Sequence, residues 1–549
     1  MKITEDYLLK RATFDAVKVI VPSFDIKIVR EKTKINPEWV HFGGGNLYRC
    51  FHAKVAQDLI NAGELDTGIV VVETFGENLV KDLYHRFDNR SLTVTMKADG
   101  SFDKELVAST AEALYFHPSN KHDVQSLVNI FKNKSLKLVT LTITEKGYAV
   151  KDSAGNLLKQ VTQDIQAGPT FDKLQNTMAK LAYLLVERFN AGALPLAVVS
   201  TDNFSHNGDR LKAAVLEIAN GWLKQGFVSN SFIEYLDKDN RVSFPFTMID
   251  RITPLPNVDI AKKLEEEGIE EMMPYKTGDR GSELAAFVNT EEVHYLVIED
   301  DFPNGRPAFE KANGVLLGNR ETVNNADLMK VCTCLNPLHT TLAIYGCLLG
   351  FDRIYKEVQD KDLLKLIEQI GFVEGLPVVK NPEIINPDSF IKEVIYKRFM
   401  NPNIPDTPQR IASDTSQKVG IRFGETIKAY VSTKNKDVKT LRFIPLTIAA
   451  WCRYLMAIDD KGQLFTPSPD PLYEELHSYV STITLGETAD VHSALHPILS
   501  NKEIFSVNLE EIGLGEKIEN YFVRMITGPN AVRTVLQQEL AAHAIEVNK

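Results

Sequence analysis

The chain has 549 residues, which is long enough for two or more domains with separate cores. Its 62 Lys and Arg residues against 73 Asp and Glu residues give a net charge of −11, which argues against a nucleic-acid partner. A negatively charged ligand would therefore need local Arg or Lys residues.

The cysteines and the apolar segments both favour an intracellular protein. The five cysteines are an odd number without zinc-ligand spacing, so a disulfide framework is not expected. The N-terminal residues lack the apolar run of a signal peptide, and the most apolar stretch, residues 444–458, carries Arg453 and is too short to cross a bilayer. These features predict a cytoplasmic protein with no membrane partner.

The first half of the chain alternates short apolar strands with amphipathic helices. Strands are predicted at residues 40–42, 68–73, 136–143 and 194–200. Helical patterns lie between them, for example over residues 47–60 and 172–189. This alternation predicts an α/β domain with a doubly wound parallel sheet of the Rossmann type.

After about residue 295 the pattern becomes helical. Proline-rich segments at residues 402–408 and 467–471 separate the helices. Helices are predicted over residues 325–350, 360–370, 390–399, 444–458 and 531–543. The sequence therefore predicts an α/β domain over residues 1–294 and a mainly α-helical domain over residues 295–549.

A run of glycines follows the first of these parallel strands and opens a helix. Gly43, Gly44 and Gly45 stand where a pyrophosphate can rest on backbone N–H groups. Asn46 continues the turn, and Arg49 in the first helical turn is placed to pair with phosphate. The third glycine of the usual spaced dinucleotide fingerprint is missing, so the motif alone also fits a tight strand–helix turn.

An acidic residue, Glu73, ends the second strand. An acid at this position can accept hydrogen bonds from adenosine ribose hydroxyls, and it favours NAD over NADP because it repels the additional phosphate. Glu77 is a nearby competitor for this role, and a solvated strand end is the alternative for Glu73.

Near the middle of the chain, Lys330, Asn336 and His339 lie on successive turns of a predicted helix. They offer a proton acceptor, a neutral amide donor and a second titratable group. Oxidation of a carbinol to a ketone needs such a set, namely a base for the hydroxyl proton and fixed donors for the developing alkoxide. The alternative for His339 is a satisfied core histidine.

Taken together, these motifs resemble the mannitol dehydrogenase family, which comprises long-chain polyol dehydrogenases and hexuronate reductases. The matching segments are residues 42–49, 140–148, 200–208, 244–245 with 248–254, 304–307, 398–402 and 410–418. The resemblance implies an NAD-binding Rossmann-type domain over residues 1–294, a helical substrate and catalytic domain over residues 295–549, and an active site between them. It also implies metal-free hydride transfer between a nicotinamide and a secondary alcohol of a sugar alcohol or sugar acid.

The resemblance implies a role for each matching residue. Lys330 would be the general base in oxidation and the general acid in reduction, since desolvation lowers the pKa of a buried lysine. Asn203 and Asn336 would form the oxyanion hole, and His339 would hydrogen-bond the substrate. The remaining residues carried over by motif are the substrate ligands Asp250, Arg410 and Lys418 and the cofactor residue Glu145.

Several of these residues also have a purely structural interpretation. Asn203 could cap a turn, and Asp250 could form a salt bridge with Arg251. Arg410 and Lys418 are about two helical turns apart and could belong to a solvated face.

Two features depart from the family pattern. Five residues separate Lys330 from Asn336 where the family has four, and one extra residue rotates a helical side chain by about 100°. Either a π-bulge absorbs the extra residue, which we favour, or Val331 occupies the place of the lysine. The second departure is an insertion around residues 274–290, in which residues 278–282 are interpreted as a flexible loop without an assigned role.

The sequence therefore predicts an oxidoreductase that uses NAD, with NADP less favoured, and acts on a polyol or hexuronate. The expected form is a monomer or a small homo-oligomer. Two other hypotheses stay open, namely an epimerase or isomerase that keeps NAD tightly bound and a catalytically inactive sugar-binding protein. Spacing and composition do not choose the substrate or the direction of reaction.

Overall fold

The protein is described by a computed structural model, which covers residues 1–238, 240–276, 283–487 and 490–543. The chain divides into two compact units, one of residues 1–97 and 101–324 and the other of residues 98–100 and 325–549. The boundary predicted after residue 294 falls inside the first unit. The reason is strand pairing, because Val315–Gly318 pairs with Tyr295–Glu299, which in turn pairs with Thr247–Asp250.

The strands lie in the first unit, and helices occur along the whole described chain. The strands are β1 (Val19–Ile20), β2 (Trp39–Phe42), β3 (Ile69–Glu73), β4 (Ser91–Met96), β5 (Phe102–Val107), β6 (Thr110–Tyr115), β7 (Leu138–Leu141), β8 (Leu196–Ser200), β9 (Val242–Ser243), β10 (Thr247–Asp250), β11 (Tyr275–Lys276), β12 (Glu283–Leu284), β13 (Phe287–Glu291), β14 (Tyr295–Glu299) and β15 (Val315–Gly318). The helices that begin before residue 325 are α1 (Arg11–Ala16), α2 (Ile26–Ile35), α3 (Ala53–Asn61), α4 (Glu77–Leu79), α5 (Lys121–Phe131), α6 (Lys159–Ala167), α7 (Thr177–Asn190), α8 (Asn207–Lys224), α9 (Asn230–Asp237), α10 (Val258–Glu266) and α11 (Arg320–Met329), the last of which crosses the unit boundary.

The second unit is helical. Its helices are α12 (Asn336–Leu349), α13 (Ile354–Gln359), α14 (Lys361–Glu368), α15 (Pro387–Glu393), α16 (Pro408–Ile411), α17 (Glu425–Ser432), α18 (Phe443–Leu455), α19 (Tyr473–Val480), α20 (Val491–Leu499), α21 (Lys502–Phe505), α22 (Gly515–Met525) and α23 (Ala531–Ala542). The structure also contains π-helical turns in both units, at Tyr48–His52, Val80–His85, Lys330–Cys334, Gln369–Gly375, Val394–Phe399 and Gly420–Gly424.

The main sheet of the first unit has six strands in the order β6-β3-β2-β7-β8-β9, and all neighbours are parallel. Alternate residues of its strands enter two separate cores. Val40 and Val70 pack into one core, while Trp39 and Val71 pack into the other. A parallel sheet buried on both faces is the Rossmann-type arrangement that the apolar strands predicted, and this prediction is confirmed together with the helical second half.

The longest apolar segment of the sequence forms a core helix. All residues of α18 are buried, and its Arg453 donates to the carbonyl oxygens of Ile458 at 2.6 Å and Asp459 at 3.0 Å. Its charge is thus used to hold the chain that follows the helix. Within the described ranges, every helix is too short or too polar to cross a membrane.

One buried acid of the second unit is expected to make stability pH-dependent. Glu357 on α13 is fully buried, and in the described part of the chain neither of its carboxyl oxygens has a hydrogen-bond partner. Burial raises the pKa of Glu357 well above its ordinary value, and nearby Asp360 adds to the rise. The folded protein therefore holds a proton here that the unfolded chain releases.

The wild-type protein should lose folding free energy as pH rises, because Glu357 must stay protonated in the folded state. Glu357→Gln should not show this loss. The native contribution is complete below the unfolded pKa of about 4.5 and falls by about 1.4 kcal/mol per pH unit as pH rises toward the folded pKa. Urea unfolding at pH 5 and pH 8 measures this, with the exposed Glu474→Gln as control. A Glu357→Gln effect that is the same at both pH values would contradict the assignment.

Candidate functional site

The predicted nucleotide-binding residues meet at the carboxyl edge of the main sheet. β3, β2, β7 and β8 are neighbouring parallel strands, so the segments that follow them emerge at one edge. Those segments carry the glycine turn, Glu73, the turn containing Glu145, and the loop of Asn203. This edge is where open α/β sheets bind their ligands.

The three glycines of the turn after β2 differ in whether the surrounding protein leaves room for a side chain. Gly43 has a φ of +100°, and a Cβ there would overlap the carbonyl oxygen of Thr142. A Cβ on Gly44 would lie 2.6 Å from the hydroxyl oxygen of Tyr84, which donates to the Gly44 carbonyl at 2.5 Å. A Cβ on Gly45 would meet no described atom within 4 Å. The protein itself therefore needs the first two glycines, whereas Gly45 leaves open space beside the backbone.

Arg49, predicted to pair with phosphate, is buried and has partners within the protein. Its side chain donates to the carbonyl oxygen of Ala285 and to the side-chain oxygen of Asn46, both at 2.8 Å. The side-chain amide of Asn46 donates in turn to the carbonyl oxygen of Pro254 at 3.3 Å. In this structure Arg49 holds the turn in place through these two bonds, and its Nε has no hydrogen-bond partner among the described residues.

Glu73 lies directly beside the glycine turn. Its carboxylate accepts a hydrogen bond from the backbone N–H of Gly44. Burial raises the pKa of Glu73 to about 7, although the bonds from Gly44 and Thr74 act in the opposite direction. The competitor Glu77 is a surface residue that pairs with Lys81 at 2.9 Å. Of the two acids, Glu73 is the one positioned at the turn.

A buried acid that sequence reasoning missed shapes the next two loops of this edge. The Asp202 carboxylate accepts the N–H groups of Ile143 and Thr144 at 2.9 and 3.0 Å and the hydroxyl of Tyr148 at 2.7 Å. It thereby ties the turn after β7 to the loop after β8. The signal in the sequence is an acid soon after a buried strand, but the family resemblance assigns a role only to its neighbour Asn203.

The two predicted site residues on these loops are both exposed. Glu145 forms an ion pair with Arg210, and the two residues line an open cavity of about 490 Å³ with Lys146, Tyr148 and Lys151. Asn203 directly follows Asp202. The cavity is large enough for part of a dinucleotide, since ligand pockets usually measure about 300–1,000 Å³.

Asp250 is 5% exposed at the end of β10, opposite Tyr295 of β14. The start of β10 is fixed to the same sheet edge by Asn207, whose side-chain oxygen accepts the N–H of Thr247 at 3.0 Å. The amide of Asn207 also donates to the carbonyl oxygen of Asp202 at 3.1 Å. The loop that carries Asn203 and the strand that carries Asp250 are therefore both held by the buried side chain of Asn207.

In the second unit, Lys330 begins a π-helical turn that ends at Cys334. The N–H of Leu335 donates to the carbonyl oxygen of Lys330 at 3.2 Å, which is the hydrogen bond of a π-helix. The predicted π-bulge between Lys330 and Asn336 is thus confirmed. Lys330 is 2% exposed, whereas Val331 is only half-buried.

The helix α12 begins at Asn336, directly after the π-turn. Leu335 interrupts the helical path with φ −128° and ψ −64°, and Pro337 suits the first turn because it has no N–H to leave unpaired. Asn336 is half-buried, as is His339 one turn later. The sequence has therefore placed the amide and the imidazole on the first turn of one rigid helix.

His339 has a carboxylate partner that the sequence did not reveal. Its Nε2 lies 3.4 Å from the Oδ2 of Asp406, and its ring packs against Phe399 with centroids 5.0 Å apart. Burial lowers the pKa of His339, although Asp406 opposes this. In the sequence the segment around Asp406 is only a proline-rich connection between helices, and residues so far apart in sequence give no local signal of pairing.

The two predicted cationic substrate ligands have different surroundings. Arg410 on α16 is 62% exposed and forms an ion pair with Asp406. The ammonium of Lys418 donates to the carbonyl oxygen of Ser413 at 2.5 Å. Burial lowers the pKa of Lys418, and the neighbouring positive charge of Arg422 lowers it further.

The predicted insertion at residues 274–290 contains short strands. β11 pairs with β12 as an antiparallel hairpin, and β13 pairs in parallel with β4. The segment interpreted as a flexible loop, residues 278–282, lies outside the described residues.

Comparison with known proteins identifies relatives along nearly the whole chain. A D-mannonate oxidoreductase of Thermotoga maritima is 51% identical over 539 residues, covering 98% of this chain and 99% of the relative. A polyol:NADP oxidoreductase of Gluconobacter oxydans is 28% identical and covers 84% of this chain and 87% of the relative. The solved ternary complex of Pseudomonas fluorescens mannitol 2-dehydrogenase with NAD and D-mannitol is 26% identical, with a TM-score of 0.68 over 96% of this chain and 97% of that chain.

Two family models divide the chain between them. The model of the mannitol dehydrogenase Rossmann domain matches residues 37–311, and the model of the mannitol dehydrogenase C-terminal domain matches residues 323–525. Together with the 51% identity to the Thermotoga maritima relative, these matches show that the chain belongs to the mannitol dehydrogenase family.

Proposed function

We propose that this protein is an NAD-dependent oxidoreductase that interconverts a secondary alcohol of a hexonate or polyol with the corresponding ketone. The observation that carries the proposal is the buried Lys330 at the head of a π-turn, followed by Asn336 and His339 on one helix. The name of the Thermotoga maritima relative, a D-mannonate oxidoreductase, supports hexonates as the first candidates.

The carboxyl edge of the main sheet fits a nicotinamide dinucleotide. A Cβ at Gly45 would project into open space, which is the property expected where backbone must approach a pyrophosphate. Glu73 is assigned to the ribose hydroxyls, and Asn46 and Glu145 complete the cofactor set. When bound, the nicotinamide accepts hydride from the alcohol carbon or returns it to the ketone.

The protein's own residues would handle the proton. In oxidation the hydroxyl proton passes to the amine of Lys330 as hydride leaves the same carbon, and in reduction both return. The amide of Asn336 donates to the oxygen that carries developing negative charge, and His339 hydrogen-bonds the substrate. Asp250, Arg410 and Lys418 are assigned to substrate hydroxyls or a carboxylate, while the oxyanion-hole role of Asn203 stays a prediction. The proposal assigns no step to a metal ion, so activity should survive EDTA.

An NADH absorbance assay of the purified protein tests this function. Fructuronate, tagaturonate and fructose are offered with NADH, and mannonate, altronate, mannitol and arabinitol with NAD. Each assay is repeated with the phosphorylated cofactor. Robust turnover of one pair establishes the dehydrogenase. Silence across the panel with nucleotide retained through gel filtration would favour an epimerase instead, and sugar-dependent thermal stabilisation without turnover would favour a binding protein.

Glu73 should make the choice of cofactor depend on pH. Because burial raises its pKa to about 7, the carboxyl group is ionised at pH 8 and largely protonated at pH 6. Only the ionised form repels the additional phosphate of NADP. The ratio of kcat/KM for NAD to that for NADP should therefore fall several-fold, by roughly tenfold at most, between pH 8 and pH 6.

The matched variant for this test is Glu73→Gln, which keeps a side-chain oxygen for the Gly44 N–H but cannot ionise. Its cofactor ratio should be low and independent of pH. A wild-type ratio that stays constant across the pH range would remove Glu73 from cofactor selection.

A further inference from the structure

A third cation, Arg422, lies beside the proposed substrate ligands and was not predicted as a site residue. It belongs to the π-helical turn Gly420–Gly424. A Cβ at Gly420 would lie 2.7 Å from the carbonyl oxygen of Ile504, and a Cβ at Gly424 would overlap that of Phe505. The two glycines let the turn pack tightly on this neighbouring backbone, so the position of Arg422 is fixed on both sides.

The side chain of Arg422 points to the helix that carries His339. Its Nη1 donates to the hydroxyl oxygen of Thr340, which is buried and directly follows His339 on α12. The positive charge of Arg422 also contributes to lowering the pKa of both His339 and Lys418. The guanidinium therefore lies within electrostatic range of two residues of the proposed substrate set.

Arg422 differs from Arg410 in whether an acidic side chain neutralises its charge. Arg410 is largely exposed and is paired with Asp406. Arg422 is half-buried, and among the described residues its side chain bonds only the neutral Thr340 hydroxyl and has no carboxylate partner. Burial alone lowers the pKa of Arg422 to about 10, so it still carries its charge at neutral pH. A half-buried cation without a counter-charge is costly unless an anion joins it.

We propose that Arg422 binds the carboxylate of the substrate and thereby selects sugar acids over neutral polyols. The planar guanidinium can give two parallel N–H bonds to a carboxylate, and such pairs are both strong and directional. Lys418 is close enough for the charge of Arg422 to affect its pKa, and its own ammonium adds positive potential for an anion. The inference rests on the proposed function, because it assigns the substrate class of the same site.

The test compares an acid with its neutral analogue in wild type and in Arg422→Met. The substrates are D-mannonate and its primary amide, which differ in charge but share every hydroxyl group. Arg422→Met should lower kcat/KM for the acid by about 100-fold, which is the loss expected for a charge-assisted bidentate bond. The value for the amide should change by less than about threefold.

Two further variants sharpen the result. Arg422→Lys keeps the charge but not the planar fork, so an acid-specific loss of about tenfold is expected, and this variant carries the test if Arg422→Met does not fold. Lys428→Met removes a cation on the adjacent α17 that is already paired with Glu425 at 2.7 Å, and it should leave both substrates unaffected.

The outcomes separate this inference from the proposed function. Equal losses on acid and amide, or no loss on either, would overturn the role of Arg422 while the dehydrogenase stands. Wild-type turnover of neutral polyols alone would do the same. No turnover of any substrate in the panel would overturn the proposed function and the inference with it.

Discussion

Lys330→Ala is expected to lower kcat by about 10²–10⁴-fold, the usual effect of losing a general base. This corresponds to about 3–5 kcal/mol in the barrier. The physical reason is that the buried amine is the group assigned to take the hydroxyl proton, and alanine offers no acceptor. Steady-state kinetics in both directions, with the best substrate pair from the panel, measures the effect.

The chain offers a matched control and a rescue experiment for Lys330. Lys428→Met removes a lysine that is paired with Glu425 on the surface of the same unit, and it should leave kcat unchanged. Added primary amines should restore part of the lost rate to Lys330→Ala by supplying the missing base. Near-normal activity in Lys330→Ala would remove this residue from the mechanism.

The second large effect is expected at Gly45. The proposed cofactor contacts the backbone here, and the space beside the Gly45 Cα is open. Gly45→Leu should weaken NADH binding on the order of 100-fold, because the side chain fills the space through which the pyrophosphate approaches the backbone. The same substitution should leave the thermal midpoint within about 2 °C of wild type, since no described atom lies within 4 Å of the added Cβ. Fluorescence titration of NADH and a thermal melt measure both quantities.

Gly43→Ala is the contrasting variant in the same turn. The φ of +100° and the overlap with Thr142 make any side chain there strained, so the folded state itself should be destabilised. A thermal midpoint at least about 4 °C lower is expected, which corresponds to about 3 kcal/mol for the unfolding of the first unit, the unit that contains Gly43. If Gly45→Leu instead binds NADH normally, the cofactor does not approach the turn at Gly45.

Local pattern was sufficient for much of the fold. The apolar strands β2, β3, β7 and β8 were predictable because each is buried on both faces of a parallel sheet and therefore reads as a continuous apolar run. The domain boundary was not predictable in this way. It depends on the pairing of β10, β14 and β15, and strand pairing between distant segments leaves no mark in the local sequence.

The candidate site was predictable where a motif and its chemistry are contiguous. The glycine turn with Glu73 and the Lys330 segment belong to this class. Comparison of the residue count before Asn336 with the family pattern left two alternatives, and the structure has the favoured one, the π-turn. The partners of these groups were not predictable, because Asp406 reaches His339 from a distant loop. Arg49 shows a second limit. Its sequence position suggested phosphate binding, but its buried side chain donates to the carbonyl oxygen of Ala285 and the side-chain oxygen of Asn46.

The carboxylate of Asp202 has a consequence for how the two loops of the sheet edge respond to ligands. It grips the turn of Glu145 through Ile143 and Thr144, and it immediately precedes Asn203 in the chain. A single carboxylate therefore joins the two loops. Under the proposed function, the Glu145 turn serves the nucleotide and Asn203 the substrate, so we expect ordered kinetics in which the nucleotide binds before the sugar.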